Sequence, residues 1–246
     1  MNLHIHGKIA LVTGGARGIG AGIVEALENE GATVVYTSRE RHDDRRAIQW
    51  DTKHPQGLAQ MIRERYDGMG PDILVNNIGH TLDVKNPFCE KDDWDAVMRT
   101  NFDIAVSLCN AVIPWMRNNG WGRIVNITSC AGLENMGPVT YCTAKASLTA
   151  YTHSMGRVLA SESPGIVMSA IYPSVIKTDG GHWDHQTPEH TQKYLSERVP
   201  TGRFQTVEEF SPIVAFYCSE HARSCHGAII AADQGQSRHF SSHTYL

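Results

Sequence analysis

One stretch near the start restricts the fold more than any other. Lys8-Ile9-Ala10-Leu11-Val12-Thr13 is a short apolar run that ends at glycine, the pattern of a strand buried on both faces of a parallel sheet. Gly14-Gly15-Ala16-Arg17-Gly18-Ile19-Gly20 follows, and an amphipathic helical pattern then runs through Ile23 and Leu27 to a stop at Gly31. A strand, a glycine turn and a helix in this order make a phosphate cradle. Backbone N–H groups and the positive helix end face the anion, and glycine lets it come close. The spacing is Gly14-x-x-x-Gly18-x-Gly20 rather than the general Gly-x-Gly-x-x-Gly.

The rest of the chain repeats the strand–helix alternation. Strands are expected at Thr33–Thr37, Ala47–Trp50, Asp72–Asn76, Arg123–Ser129, Gly165–Ile171 and Ala228–Ala232, which with the first makes seven. The charged run Glu40 to Arg46 is too short to hold the usual crossover helix. Helices are expected over Pro55–Tyr66, Lys91–Asn118, from Val139 onward and over Val207–Glu220. Asn101 sits in the middle of the second, where Asn competes for backbone partners. Thr178 to Thr201 holds two glycines and three His with little apolar content, and it reads as a mobile lid. No second domain or internal repeat is visible.

Two places carry chemistry. The second strand ends at Ser38-Arg39 with no carboxylate, and Arg17 lies in the glycine loop. An acid there would bind a ribose 2′-hydroxyl and repel a 2′-phosphate; guanidinium groups suit the phosphate. This favours NADP(H) over NAD(H). Asp51, with Thr52, at the end of the third strand is placed to meet the adenine edge. The second place is Tyr141-Cys142-Thr143-Ala144-Lys145. In a helix starting near Val139, Tyr141 and Lys145 share a face one turn apart. A tyrosine ionises near pH ~10, and bringing it to neutrality takes about 4 kcal/mol. A close ammonium, helped by a nicotinamide ring, is expected to lower it by that much.

Composition excludes several classes. The 246 residues suit one α/β domain, and the formal charge of -4 gives no electrostatic reason to expect nucleic acid or a membrane surface. Met1 to Gly7 is not a signal peptide, and no run approaches the ~20 apolar residues of a membrane span. Six Cys without a Cys-x-x-Cys pair read as reduced thiols, so a cytoplasmic location is expected, with Cys130 and Cys142 as packing residues. His182, His185, His190, Asp179 and Asp184 lie on a glycine-bearing segment without rigid support, and no metal is expected there.

With these pieces placed, the chain resembles the short-chain dehydrogenase/reductase family, in particular its 3-oxoacyl-thioester (acyl-carrier-protein) reductase-like members. The likeness rests on Thr13-Gly14-x-x-x-Gly18-x-Gly20, Asn76-Asn77-Ile78-Gly79, Ile127-Thr128-Ser129 with Tyr141-x-x-x-Lys145, and Asn101, and it covers nearly all of residues 7–235. It implies an α/β fold: one doubly wound Rossmann-type domain over residues 1–246, with a ~7-stranded parallel sheet flanked by helices. It implies a hydride-transfer oxidoreductase. Ser129 would hold the substrate oxygen and Tyr141 would move the proton. Lys145 would lower the Tyr141 pKa and hold the nicotinamide ribose, and Asn101 would position a relay water. Ile19, Asn77, Ile78, Gly79, Pro173, Val175 and Thr178 would join Gly14, Arg17, Gly18, Gly20, Ser38 and Arg39 around the cofactor. A homotetramer, or a homodimer, built on the Asn101 and Tyr141 helices is also implied.

The sequence departs from the family pattern in three places. Pro173-Ser174 replaces Pro-Gly, Asp233-Gln234-Gly235 replaces Asp-Gly-Gly, and Ile78 replaces Ala. No catalytic group is lost, so activity is expected from a specialised member. His80, Asn135, Met136, His182 and Trp183 are the candidate substrate residues, and they favour a polar or hydroxylated small-molecule carbonyl or alcohol. The rival readings are a 3-oxoacyl-thioester reductase of fatty-acid or polyketide type, and a retired NADP(H)-binding sensor or scaffold.

Overall fold

The computed structural model describes residues 1–50, 57–65, 68–134 and 136–237. Asp51, Thr52, Asn135, the ends of the helix read at 55–66 and the tail after Ser237 lie outside the described residues.

Seven parallel strands form one sheet in the order β3-β2-β1-β4-β5-β6-β7. They are β1 (Ile9–Val12), β2 (Thr33–Ser38), β3 (Ala47–Gln49), β4 (Ile73–Asn76), β5 (Gly122–Ile127), β6 (Ile166–Pro173) and β7 (Ile229–Ala232). Helices α1 (Gly18–Asn29), α2 (Leu58–Arg65), α3 (Lys91–Met98), α4 (Ile104–Asn119), α5 (Ala131–Glu134), α6 (Val139–Glu162), α7 (Pro188–Arg198) and α8 (Val207–Tyr217) connect them. No helix joins β2 to β3, as the short charged run requires.

Alternation along the strands divides the core between the two sheet faces. Ala10, Val12, Val34, Tyr36, Ile73 and Val75 pack with Ile23 and Leu27 of α1 and Phe210 and Val214 of α8. Leu11, Val35, Leu74 and Ile124 pack on the other face with Ile62, Leu108, Val112 and Leu159. Burial on both faces explains why the strands read as continuous apolar runs. The order reverses between β1 and β4, so the crevice for a ligand opens beyond the carboxyl ends of those two strands.

Two elements differ from the sequence reading. The helix expected over 91–118 is interrupted by a π-turn, Arg99–Asp103, centred on Asn101. The 178–201 segment contains a short 3-10 turn, His182–His185, and the three-turn helix α7. Helix α7 starts by ordinary rules: Thr187 caps it by accepting from His190 N–H, and Pro188 occupies its first position. Only Leu195 of α7 is buried, so no apolar stripe announced it.

Candidate active site

The crevice is framed by the glycine loop and the end of β4. Gly14 takes φ +67°, and a Cβ on Gly20 would lie 2.1 Å from the Gly14 carbonyl oxygen, so position 20 admits glycine alone. The Thr13 hydroxyl accepts from the N–H groups of Asn77 (2.9 Å) and Ile78 (3.2 Å), and the Asn77 amide donates to Thr13 O at 3.0 Å. Gly14 N–H is in turn held by the Thr37 hydroxyl at 2.9 Å. Thr178 lies over Gly18, and the Arg17 guanidinium lies beside Gly180, so the start of the 178–201 segment covers the loop.

Next to this cradle lie the candidate reacting groups. Ser129 follows β5, its Oγ accepts from Ala131 N–H at 3.1 Å, and its hydroxyl is hydrogen-bonded to the Tyr141 phenol. Lys145 is buried on α6; its Nζ donates to Ile127 O at 2.9 Å and stands 5.9 Å from the centre of the Tyr141 ring. A Cβ on Gly79 would meet Lys145 Nζ at 2.6 Å and Asn101 Oδ1 at 2.9 Å, so these two polar groups converge on one glycine. The Asn101 amide donates to His80 O and Val97 O, both at 2.8 Å, and Asn101 Oδ1 accepts from His80 N–H at 3.0 Å. Its side chain is therefore a clamp on the Gly79–His80 backbone. Below the site, Asn76 donates to Asn126 and Asn126 to Thr152, each at 2.8 Å, fixing α6 against β4 and β5.

Burial dominates the electrostatics of this pair. Burial pushes the Tyr141 phenol up to about 12, and the Ser129 hydrogen bond offsets only part of that. Burial pushes the Lys145 ammonium down to about 8. The lowering of Tyr141 is expected from Lys145 together with a nicotinamide ring; here the ammonium donates to the Ile127 carbonyl. Among the described residues that carbonyl is its one hydrogen-bond acceptor, which leaves donor capacity buried beside the crevice.

At the end of β2, Ser38 Oγ is hydrogen-bonded to His42 Nε2 at 2.9 Å. Arg17 and Arg39 are exposed, with no carboxylate partner among the described residues. Arg46 is paired with Asp44 and Glu28, both at 2.7 Å, so it is already engaged within that loop. Pro173 ends β6, and Val175 follows in the loop beyond it.

The substrate candidates are partly gathered. Half-buried Met136 touches Arg198 Nη1 at 4.0 Å, so the far end of α7 reaches the Ser129–Tyr141 region. Trp183 packs on Tyr194 at 4.7 Å and on Phe204 at 5.5 Å, forming the aromatic underside of the segment. His182 is exposed, and the exposed His80 ring is occupied by Leu82 N–H at 2.8 Å; its backbone is what belongs to the site. Cys130, read as packing, is half-buried beside Ser129, and burial pushes its thiol up to about 11. Among the described residues no group of three or more His, Cys, Asp or Glu is arranged to hold a metal ion. No helix among them is long and apolar enough to cross a membrane.

Comparison with known proteins agrees with this geometry. The family model described as Enoyl-(Acyl carrier protein) reductase matches residues 14–237. The 3-oxoacyl-(acyl-carrier-protein) reductase FabG of Aquifex aeolicus is 34% identical, over 96% of this chain and 99% of its own. An acetoacetyl-CoA reductase of Shinella zoogloeoides is also 34% identical, over 93% of this chain and 98% of its own. A crystal structure of a candidate 2-deoxy-D-gluconate 3-dehydrogenase from Agrobacterium tumefaciens, with bound NADP, superposes with a TM-score of 0.85 at 28% identity, covering 96% of this chain and 98% of that one. The chain belongs to the short-chain dehydrogenase/reductase family of oxidoreductases, among its 3-oxoacyl-thioester reductase-like members.

Proposed function

We propose that the protein is an NADP(H)-dependent oxidoreductase that interconverts a ketone or aldehyde and an alcohol, with Tyr141 as general acid and base. One observation carries the reading: the Ser129 and Tyr141 hydroxyls are joined beside buried Lys145, at the edge of the glycine-framed crevice. The residues fit the cofactor. Gly14, Gly18, Ile19 and Gly20 leave the start of α1 open to a pyrophosphate, flanked by Asn77, Ile78, Gly79 and Thr178. Ser38, Arg39 and Arg17 offer hydroxyl and guanidinium donors to a 2′-phosphate. Lys145 has unspent donors for ribose hydroxyls, and Pro173 and Val175 would back the nicotinamide.

The cofactor, when bound, supplies or accepts the hydride. Ser129 holds the substrate oxygen by donating to it. Tyr141 gives that oxygen a proton in reduction and takes it back in oxidation. A phenol held up at about 12 is protonated at neutral pH, the form that reduction needs. Lys145 places positive charge beside the phenol and reloads it through a water held near Asn101. Residues 178–201 serve as the lid.

Met136 and Arg198 at the mouth support a polar or hydroxylated substrate. The names of the relatives favour a second reading, a 3-oxoacyl thioester. An assay of NADPH and NADH oxidation with polyhydroxylated ketones, simple ketones and 3-oxoacyl thioesters tests both. Faster turnover of polar ketones with NADPH supports the first reading; turnover of thioesters alone selects the second. Tight NADPH binding without turnover of any compound leaves the sensor. Half-exposed Phe102, Val106, Tyr151 and Met155, with Val158 at 43% exposure, support a homotetramer built on α4 and α6. Six free cysteines support a cytoplasmic location.

A further inference from the structure

One of the chain's departures from its family pattern, Ser174, meets in space the residue that follows another, the Asp233-Gln234-Gly235 turn. Ser174 stands where the family has glycine, and Gln236 follows the Asp233-Gln234-Gly235 turn. Both are buried, at 5% and 4% exposure. Ser174 Oγ donates to Gln236 Oε1 at 2.9 Å, and Gln236 Nε2 donates to the Tyr194 hydroxyl at 3.0 Å. Tyr194 lies on α7 and carries Trp183 on its ring.

Each end of this chain is held. Gln205 accepts from Ser174 N–H through Oε1, and its own N–H donates to Val175 O, both at 3.0 Å. The Asp233 carboxylate accepts from Gly235 N–H at 3.1 Å and Ser237 N–H at 2.7 Å, fixing the turn that presents Gln236. Gln234 takes φ +57° within that turn. By contrast α7 has a single buried residue, Leu195, so apolar burial alone docks it weakly.

We infer that Ser174, Gln236 and Tyr194 form a latch that sets the position of α7 from the loop following β6. The latch rests on the reading of residues 178–201 as a lid. Ser174 and Gln236 are positioning residues that act through Tyr194. The Gln236 amide satisfies one buried group at each end, so losing either partner strands a buried donor or acceptor. Glycine at 174 would remove the hydroxyl and leave Gln236 Oε1 without that donor. Pro173 to Thr178 also borders the proposed nicotinamide site, so a shift there moves α7.

The test is amide hydrogen exchange of residues 188–198 in the unliganded full chain, for wild type, Ser174→Gly, Tyr194→Phe and the double variant. Each single change should speed exchange of α7 about fivefold and leave α1 unchanged. The double variant should exchange no faster than Tyr194→Phe, because both changes break one chain of bonds. With any ketone that is turned over, KM should rise several-fold at nearly constant kcat, while NADPH affinity stays within about twofold. Wild-type exchange in both single variants, or effects that multiply in the double variant, overturn the latch. A wild type that binds no NADPH overturns the proposed function instead, and the unliganded exchange comparison still decides the latch.

Discussion

Tyr141 and Lys145 are both driven by burial toward their neutral forms, the phenol upward and the ammonium downward. For Lys145 the folded chain binds its proton less tightly than the unfolded chain, so this group makes stability rise with pH between about 8 and the ordinary lysine value near 10.4. In the proposed complex, ribose hydroxyls bonded to Nζ would reverse that shift. NADPH binding at pH about 8.5 should therefore take up a substantial fraction of a proton, measured by calorimetry in buffers of different ionisation enthalpy. The uptake should vanish in Lys145→Met; equal heats in all buffers for the wild type exclude the contact. At the other end of the crevice, Arg39→Asp replaces the proposed phosphate donor by a repelling charge. The ratio of NADPH to NADH affinity should fall by about 10- to 100-fold, and an unchanged ratio leaves Arg39 as solvated surface. The absence of acid at Ser38-Arg39 was legible in the sequence because it needs only residue type and a strand end. The direction of the Tyr141 shift was not legible. Spacing places two side chains on one helix face, but Lys145 Nζ is claimed by Ile127 of β5, a tertiary contact with no local signature.

At the scale of elements, the π-turn at Arg99–Asp103 does what a regular helix does not. There the Asn101 side-chain amide takes the Val97 carbonyl and also grips the backbone of His80 beside Gly79 and Lys145. Asn101→Ala should strip partners from His80 and Val97, lower stability by about 1–3 kcal/mol and cut kcat more than tenfold. Thermal unfolding and initial rates check this; a variant with wild-type stability and rate removes Asn101 from the site. The sequence marked Asn101 as out of place within a helix, yet the relief is a π-turn because the loop at residue 80 supplies the bonds. Helix α7 was missed for a different reason. Only Leu195 faces the core, so periodicity was silent, while the signal that could have found it was the cap Thr187-Pro188-Glu189. The glycine loop was legible because steric demand is written in residue type: at position 20 only glycine clears the Gly14 carbonyl.

For the whole molecule, seven apolar runs alternating with helical patterns were sufficient to fix a parallel, doubly wound sheet, since each connection allows little else. The order β3-β2-β1-β4-β5-β6-β7 then brings the ends of β1, β4 and β5 together. That places Gly14, Asn77 and Ser129 around one crevice although they are far apart in the chain. In the proposed tetramer α4 and α6 meet their copies, so light scattering should return about four times the 27.2 kDa chain mass. A monomer at micromolar concentration contradicts the proposed assembly. The redox reading depends on hydride transfer and proton transfer meeting at Ser129 and Tyr141. The most direct test is a single turnover with NADPH deuterated at the nicotinamide C4 and a ketone accepted by the enzyme, following label in the product by mass spectrometry. The wild type should place deuterium on the carbinol carbon. Tyr141→Phe should do so about 10²–10⁴ times more slowly at nearly unchanged NADPH affinity. Transfer by Tyr141→Phe at the wild-type rate, or NADPH oxidation that leaves no label in the product, contradicts the account.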